Sequence, residues 1–129
     1  MAVTHSTAAR NAATDAVTAL LGTSPRLVFR TSGTVGSPGT AVATLVMSST
    51  GFGAASSGTA TANAITSDTN AAGNASPVAT ATIQTSGGTV VIHCAVAASA
   101  SDINMTNGLT VNAGDTVSCS SLTYTALSA

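Results

Sequence analysis

The hydrophobic positions of this chain change their spacing once. Over residues 6–21, STAARNAATDAVTALL, the residues Ala9, Ala12, Ala13, Ala16, Val17, Leu20 and Leu21 recur at helical intervals and form one apolar stripe. Ser6 or Thr4 can accept from the first free N–H groups, Gly22 can end the run, and Pro25 follows as after a helix stop. The spacing predicts one N-terminal helix. Its alanine-rich stripe is suited to close packing on a sheet or on another chain, with large residues only at its C-terminal end.

After Pro25 the period becomes two. In RLVFRT, residues 26–31, Leu27 and Phe29 share one face, and Arg26, Val28 and Arg30 the other. Residues 31–40 read as a loop from their Gly and Pro content. AVATLVMS, residues 41–48, has Leu45 and Met47 on one side and Val42 and Val46 on the other, the pattern of a strand covered on both faces. GFGAASSG, residues 51–58, is a turn. TATANAI, residues 59–65, alternates Ala60, Ala62 and Ala64 against Thr59, Thr61, Asn63 and Ile65, and a loop rich in Asn, Ser, Asp and Gly follows.

Residues 77–85 and 89–97 alternate again, and Ser86-Gly87-Gly88 between them reads as a tight hairpin. A short strand is expected near residues 102–105, and the closing strands are separated by a turn at residues 112–115. In the last one Val117 and Cys119 have one parity and Leu122 and Tyr124 the other; a bulge at Ser120 and Ser121 restores all four to the core face. The expectation is about eight strands and one helix: mainly β, a β-sandwich with a jelly-roll-like arrangement as one option. The chain reads as a single domain over residues 1–129, with an N-terminal arm and helix at 1–22 and the sandwich at 26–127.

Composition changes this picture in one respect. Ala, Ser and Thr make up roughly half of the 129 residues, 5% are charged, and Lys, Glu and Trp do not occur. Disordered chains combine low hydrophobicity with high net charge. Here 44% of residues are hydrophobic and the net charge is -1, so the chain is expected to fold. Burial stabilises by roughly 25 cal/mol per Å² of apolar surface, and Ala and Thr bring little such area. Seven charges cannot produce the repulsive surface common in soluble monomers. Association with itself or with a large partner is therefore expected.

Charge also excludes function classes. Three arginines cannot form the basic patch that nucleic acid requires. No run of eighteen apolar residues predicts a membrane span, and the N-terminus lacks the charged start and apolar core of a secretory signal. The initial Met suggests a native start. Cys94 and Cys119 fit neither a disulfide framework nor a zinc site and read as buried free thiols.

No catalytic constellation stands out. His93 and Cys94 are neighbours on a strand and point to opposite faces, so they cannot act on one another. His93 reads as facing solvent or a subunit contact. Asp68 and Asn70 offer two oxygens where calcium takes six to eight, and read as Asx-turn residues. The sequons at Asn74 and Asn104 read as chance matches. No enzyme activity, metal or cofactor is expected. The candidate partner contacts are Arg10, Arg26, Arg30 and Phe52. Arg26 and Arg30 share a face and either pair with a partner or solvate an edge strand; Phe52, between two glycines, either anchors its loop on the core or plugs a neighbouring subunit.

The ordered series TAARNAATDAVTALL, GFGAASSGTATANAITSDTNA and AGDTVSCSSLTYT resembles a family of small structural proteins of tailed bacteriophages. The similarity covers most of the chain, and the segments FGAA, ATANAITSDT and VSCSSLTYT bear it. The middle stretch ATIQTSGGTVVIHC is poorer in aromatics than that pattern. The resemblance implies a virion component assembled in the host cytoplasm. In particular it implies a capsid decoration or cement protein on the outside of the major capsid protein lattice, often a homotrimer, with no catalytic residues. A tail or fibre receptor-binding module is the alternative; exposed aromatics or a metal loop would mark it.

Overall fold

A computed structural model describes residues 3–129. In chain order its elements are α1 (Thr7–Ala19), β1 (Arg26–Arg30), β2 (Ala41–Met47), β3 (Thr59–Thr61), β4 (Ile65–Thr66), β5 (Thr80–Gln84), β6 (Val90–Ala97), β7 (Ile103–Asn104) and β8 (Thr123–Thr125). The chain is mainly β with one N-terminal helix, as the pattern predicts. Six strands form one curled sheet in the order β4-β2-β1-β5-β6-β7, and β3 pairs with β8 in a two-stranded ribbon. The strands thus divide six and two. Among the described residues only β6 and β7 pair in parallel.

The core lies on one face of the large sheet. Leu27 of β1 stands between Leu45 of β2 and Ile83 of β5, and Phe29 between Ala43 and Ala81. All six are buried. Ala60 and Leu122 from the ribbon side, Ala71, Val78, Val111 and Val117 from the loops, and Leu21 after the helix close over them in one cluster. Leu27 and Phe29 thus share one face, as their spacing predicts, and it is the core face.

The opposite face of the sheet carries the row Thr44, Val28, Thr82 and His93, in register across four strands. Val28 and Thr82 are buried there. Arg30 lies over Thr82, with its Nε donating to the Thr82 hydroxyl at 3.1 Å and a terminal nitrogen to Gln84 Oε1 at 2.9 Å. The stem of a long charged side chain covers apolar surface in this way.

Two strand predictions need correction. β2 is not covered on both faces: Thr44 and Val46 are exposed. Val42 is nonetheless buried, because the register with β1 shifts between Phe29 and Arg30 and interrupts the simple alternation. Residues 59–65 do not form one strand. The alternation holds at Ala60 and fails at Ala64, which is exposed, while Ile65 packs on the core. At the break, Asn63 donates its backbone N–H to the Gly51 carbonyl and its side-chain amide to the Thr50 carbonyl. β3 then belongs to the ribbon and β4 to the large sheet.

The hairpin between β5 and β6 forms as predicted, closed by Thr85 N–H to Thr89 O at 2.9 Å. The bulge expected at Ser120 and Ser121 does not form, because residues 118–122 lie outside the strands and β8 covers only Thr123–Thr125; the expected burial is met all the same. Val117 and Leu122 are buried, and Cys119 and Tyr124 pack against the same cluster.

Candidate functional site

The orientation of helix α1 follows from hydrogen bonds. Ser6 caps it, its side chain accepting from Ala9 N at 3.1 Å. Gly22, with φ +67°, ends the run without the steric cost a side chain would bring. The one helical residue wholly buried is a polar one, Thr14, at 0% exposure. Its hydroxyl donates to Gly58 O at 2.6 Å and accepts from Ala126 N at 3.1 Å. One turn before it Asn11 Oδ1 accepts from Gly58 N at 2.7 Å, and in the next residue Asp15 Oδ1 accepts from Ala55 N at 2.8 Å. Leu21, just past the helix, supplies the buried apolar anchor.

The helix is thus turned opposite to its apolar stripe. Of the residues expected to pack, Leu21 is buried and Ala13 and Val17 are half-buried, but Ala9, Ala12, Ala16 and Leu20 are exposed. At 100° per residue, Ala8, Ala9, Ala12, Ala16, Ala19 and Leu20 span an arc of about 120°. All six face outward, with Leu20 at 67% exposure. Val3, in the arm just before the helix, is 74% exposed. The result is an uncharged, small-residue surface ending in a leucine, held in place by polar bonds behind it.

The charged residues are bonded to the chain itself. Arg10 approaches Ser57 O at 3.5 Å, Arg26 donates to Ser24 O at 2.6 Å, and Arg30 donates to Gly39 O at 2.7 Å besides its bonds to Thr82 and Gln84. Partial burial lowers the Arg30 pKa. Asp68 accepts from Thr44 N and, as an Asx turn, from Asn70 N; Asp102 accepts from Ala95 N and Asp115 from Asn112 N. Carboxylates bonded to backbone N–H groups in this way finish sheet edges and turns. Arg26 and Arg30 sit on a central strand, not on an edge strand, and both are half-buried. Phe52 is buried in its own chain's core. The four candidate contacts therefore do not converge on one patch, and the outward face of α1 was not among them.

His93 is half-buried on the outer face of the sheet. It stands in β6 opposite Thr82, and its Nε2 is buried without a hydrogen-bond partner. Cys94, on the other face, is a free half-buried thiol, and so is Cys119. Burial, with a smaller contribution from Asp102, pushes the Cys94 thiol up to about 11; burial raises Cys119 as well. Among the described residues no group of three His, Cys, Asp or Glu side chains could hold a metal ion, and no helix is long and apolar enough to cross a membrane.

A second surface feature is a groove of about 750 Å³ between segments 102–108 and 115–123, floored by Phe29, Val111 and Leu122. It is rimmed by hydroxyl and carboxamide side chains and by the carboxylates of Asp102 and Asp115.

Segment 59–68 runs antiparallel to 117–125 through β3–β8 and the Asp68–Val117 bridge, and the inner face of α1 binds to Ala55, Gly58 and Ala126 beside it. No protein-family model, curated protein or solved structure matches the chain.

Proposed function

We propose that this chain is a capsid cement protein that binds the outside of a phage major-capsid lattice through the outward face of α1 and stabilises the head. The observation that supports this most directly is the reversed helix. An exposed apolar patch on an otherwise polar surface marks a place of contact with other chains. Alanine on that patch lets a second backbone approach closely, since interhelical distance is set by the side chains at the contact. The polar bonds of Asn11, Thr14 and Asp15 hold the face outward without needing that partner.

The composition fits the same role. A surface with so few charges does not repel copies of itself or a large neutral partner. Repeated over a lattice, weak contacts accumulate, because each further contact of a linked array is effectively intramolecular. Trimeric assembly at threefold positions, which the resemblance implies, belongs to this proposal.

The test uses heads purified without this chain. The double variant Ala12→Arg, Ala16→Arg places two cations on the outer face and touches none of the bonds behind it. Head occupancy is expected to fall at least tenfold while the melting temperature stays that of the wild type. Unchanged occupancy, or a wild-type chain that does not bind heads, overturns the proposal.

A further inference from the structure

The groove between segments 102–108 and 115–123 has an unusual wall. Residues 117–125 use one edge for pairing with 59–68: Val117 exchanges both backbone bonds with Asp68, Leu122 O accepts from Ala62 N at 2.8 Å, and Thr123–Thr125 pair with Thr59–Thr61. In an antiparallel pair, the residue next to a doubly bonded one points its N–H and C=O to the opposite edge. Ser118 is that residue, and it lines the groove. The backbone N–H groups of Ser118, Cys119, Ser120 and Ser121 donate to no described residue. Residues 118–121 belong to no strand, and this run of unpaired donors between the Val117 bridge and β8 is a template on which another strand can form.

The charge of the groove narrows the choice of occupant. Asp102 and Asp115 both line it, and no Lys, Arg or His does. Each carboxylate uses one oxygen, Oδ2, on a backbone N–H of its own chain, and the other oxygen has no partner among the described residues. A second copy of this chain is a poor source of the matching cation, because Arg10, Arg26 and Arg30 are all bonded within their own chain. The floor of Phe29, Val111 and Leu122 suits apolar side chains at alternate positions, which is how an extended segment presents them.

We propose that this groove binds an extended, Lys- or Arg-bearing segment of a different protein by strand addition along residues 116–121. Main-chain bonds to the free N–H groups hold the segment. Alternate apolar side chains meet the floor, and its cations meet Asp102 and Asp115 at the rim. The inference rests on the cement reading only for the source of the segment, which would then be the capsid subunit.

The probe is a capped seven-residue peptide that alternates Val with Thr and Lys, added in millimolar excess to the full chain. Amide hydrogen exchange is read residue by residue. Exchange at Ser118–Ser121 is expected to slow at least tenfold, and the peptide with Glu in place of Lys to bind at least fivefold more weakly. A peptide N-methylated at alternate amides is expected to lose the effect on the unmodified chain, which needs no variant to fold. Ser120→Trp, a change at an exposed position, is expected to block binding with an unchanged melting temperature. Unslowed exchange at Ser118–Ser121, or equal binding by the Lys and Glu peptides, overturns the proposal. No head enters this experiment. The groove can therefore fail while the Ala12, Ala16 result on heads stands, and the reverse.

Discussion

The large sheet and the helix–ribbon junction are held together by different physics. In the sheet, Leu27, Phe29, Leu45 and Ile83 meet on one face and exclude water from one another. At the junction, Asn11, Thr14 and Asp15 make directed bonds to the backbone of Ala55, Gly58 and Ala126. Apolar packing is non-directional and tolerates repacking, whereas a buried hydrogen bond fixes one orientation and costs free energy if half of it is removed. The difference explains how an alanine-rich helix can show its apolar side to solvent. Its orientation is set by polar bonds, so its apolar side remains available for another chain.

The comparison is broken most strongly at the sheet. Leu45 has no exposed surface, and Leu45→Ala should cost about 2–5 kcal/mol, the range for cavity formation at buried leucines. Urea denaturation measures it. A cost under about 1 kcal/mol would mean that the sheet face is not the stabilising core.

Next comes the junction. Thr14→Val keeps the shape but removes a hydroxyl that serves two backbone partners. It strands the Gly58 carbonyl and the Ala126 N–H, and should destabilise by about 1–3 kcal/mol. Thr14→Ser restores both bonds and should recover most of the loss. If valine is tolerated as well as serine, packing rather than bonding orients the helix.

These two regions were unequally legible in the sequence. Large apolar residues at alternate positions have only one sensible side, so the face that Leu27 and Phe29 share is legible from parity alone, and it is the face that packs. Alanine is different: its one methyl gains little from burial, so a stripe of Ala9, Ala12 and Ala16 does not determine which side faces in. A better signal was present. Asn11, Thr14, Asp15 and Thr18 stand at helical spacing on one face. Such short polar side chains compete with the helix's own backbone bonds and are weak helix formers. A stripe of them makes sense where they bind backbone outside the helix, and here three of the four do. Their partners lie between 40 and 112 residues away, which no local pattern could supply.

The candidate contacts are spread over the fold for a related reason. Charges this sparse are engaged in finishing the fold itself. The break between β3 and β4 was hidden by the uniform alphabet. Ala64 continues the alternation of Ala60 and Ala62 in sequence, and only the bonds of Asn63 to the 50–51 turn show that the chain changes sheets there.

The outer face of α1 sharpens the comparison from the other side. Ala12→Arg alone should change stability by no more than about 0.5 kcal/mol, since surface changes away from bonded features usually stay within that range. Thermal melts of the isolated chain check it. A larger loss would show that the face is covered in the free protein, as self-association would do, and a concentration series would then show the melting temperature rising with protein concentration.

The smallest effect belongs to Cys94 and depends on pH. Its thiol is held up at about 11 in the folded chain, against an ordinary value of 9.0, chiefly because burial disfavours the thiolate and secondarily because Asp102 repels it. The folded state therefore holds its proton more tightly than the unfolded state does. That contribution to stability is complete below about pH 9 and is lost as the pH rises from about 9 to about 11. Other groups titrate in the same window, so the measurement is a difference: denaturation midpoints of wild type and Cys94→Ala, compared at pH 8 and pH 10.5. The wild type should lose more of its midpoint than the variant does. Parallel curves would mean that the thiol reaches water as freely in the folded sheet as in the unfolded chain, and that the inner face of β6 is less closed than the centre of the sheet at Leu27 and Ile83.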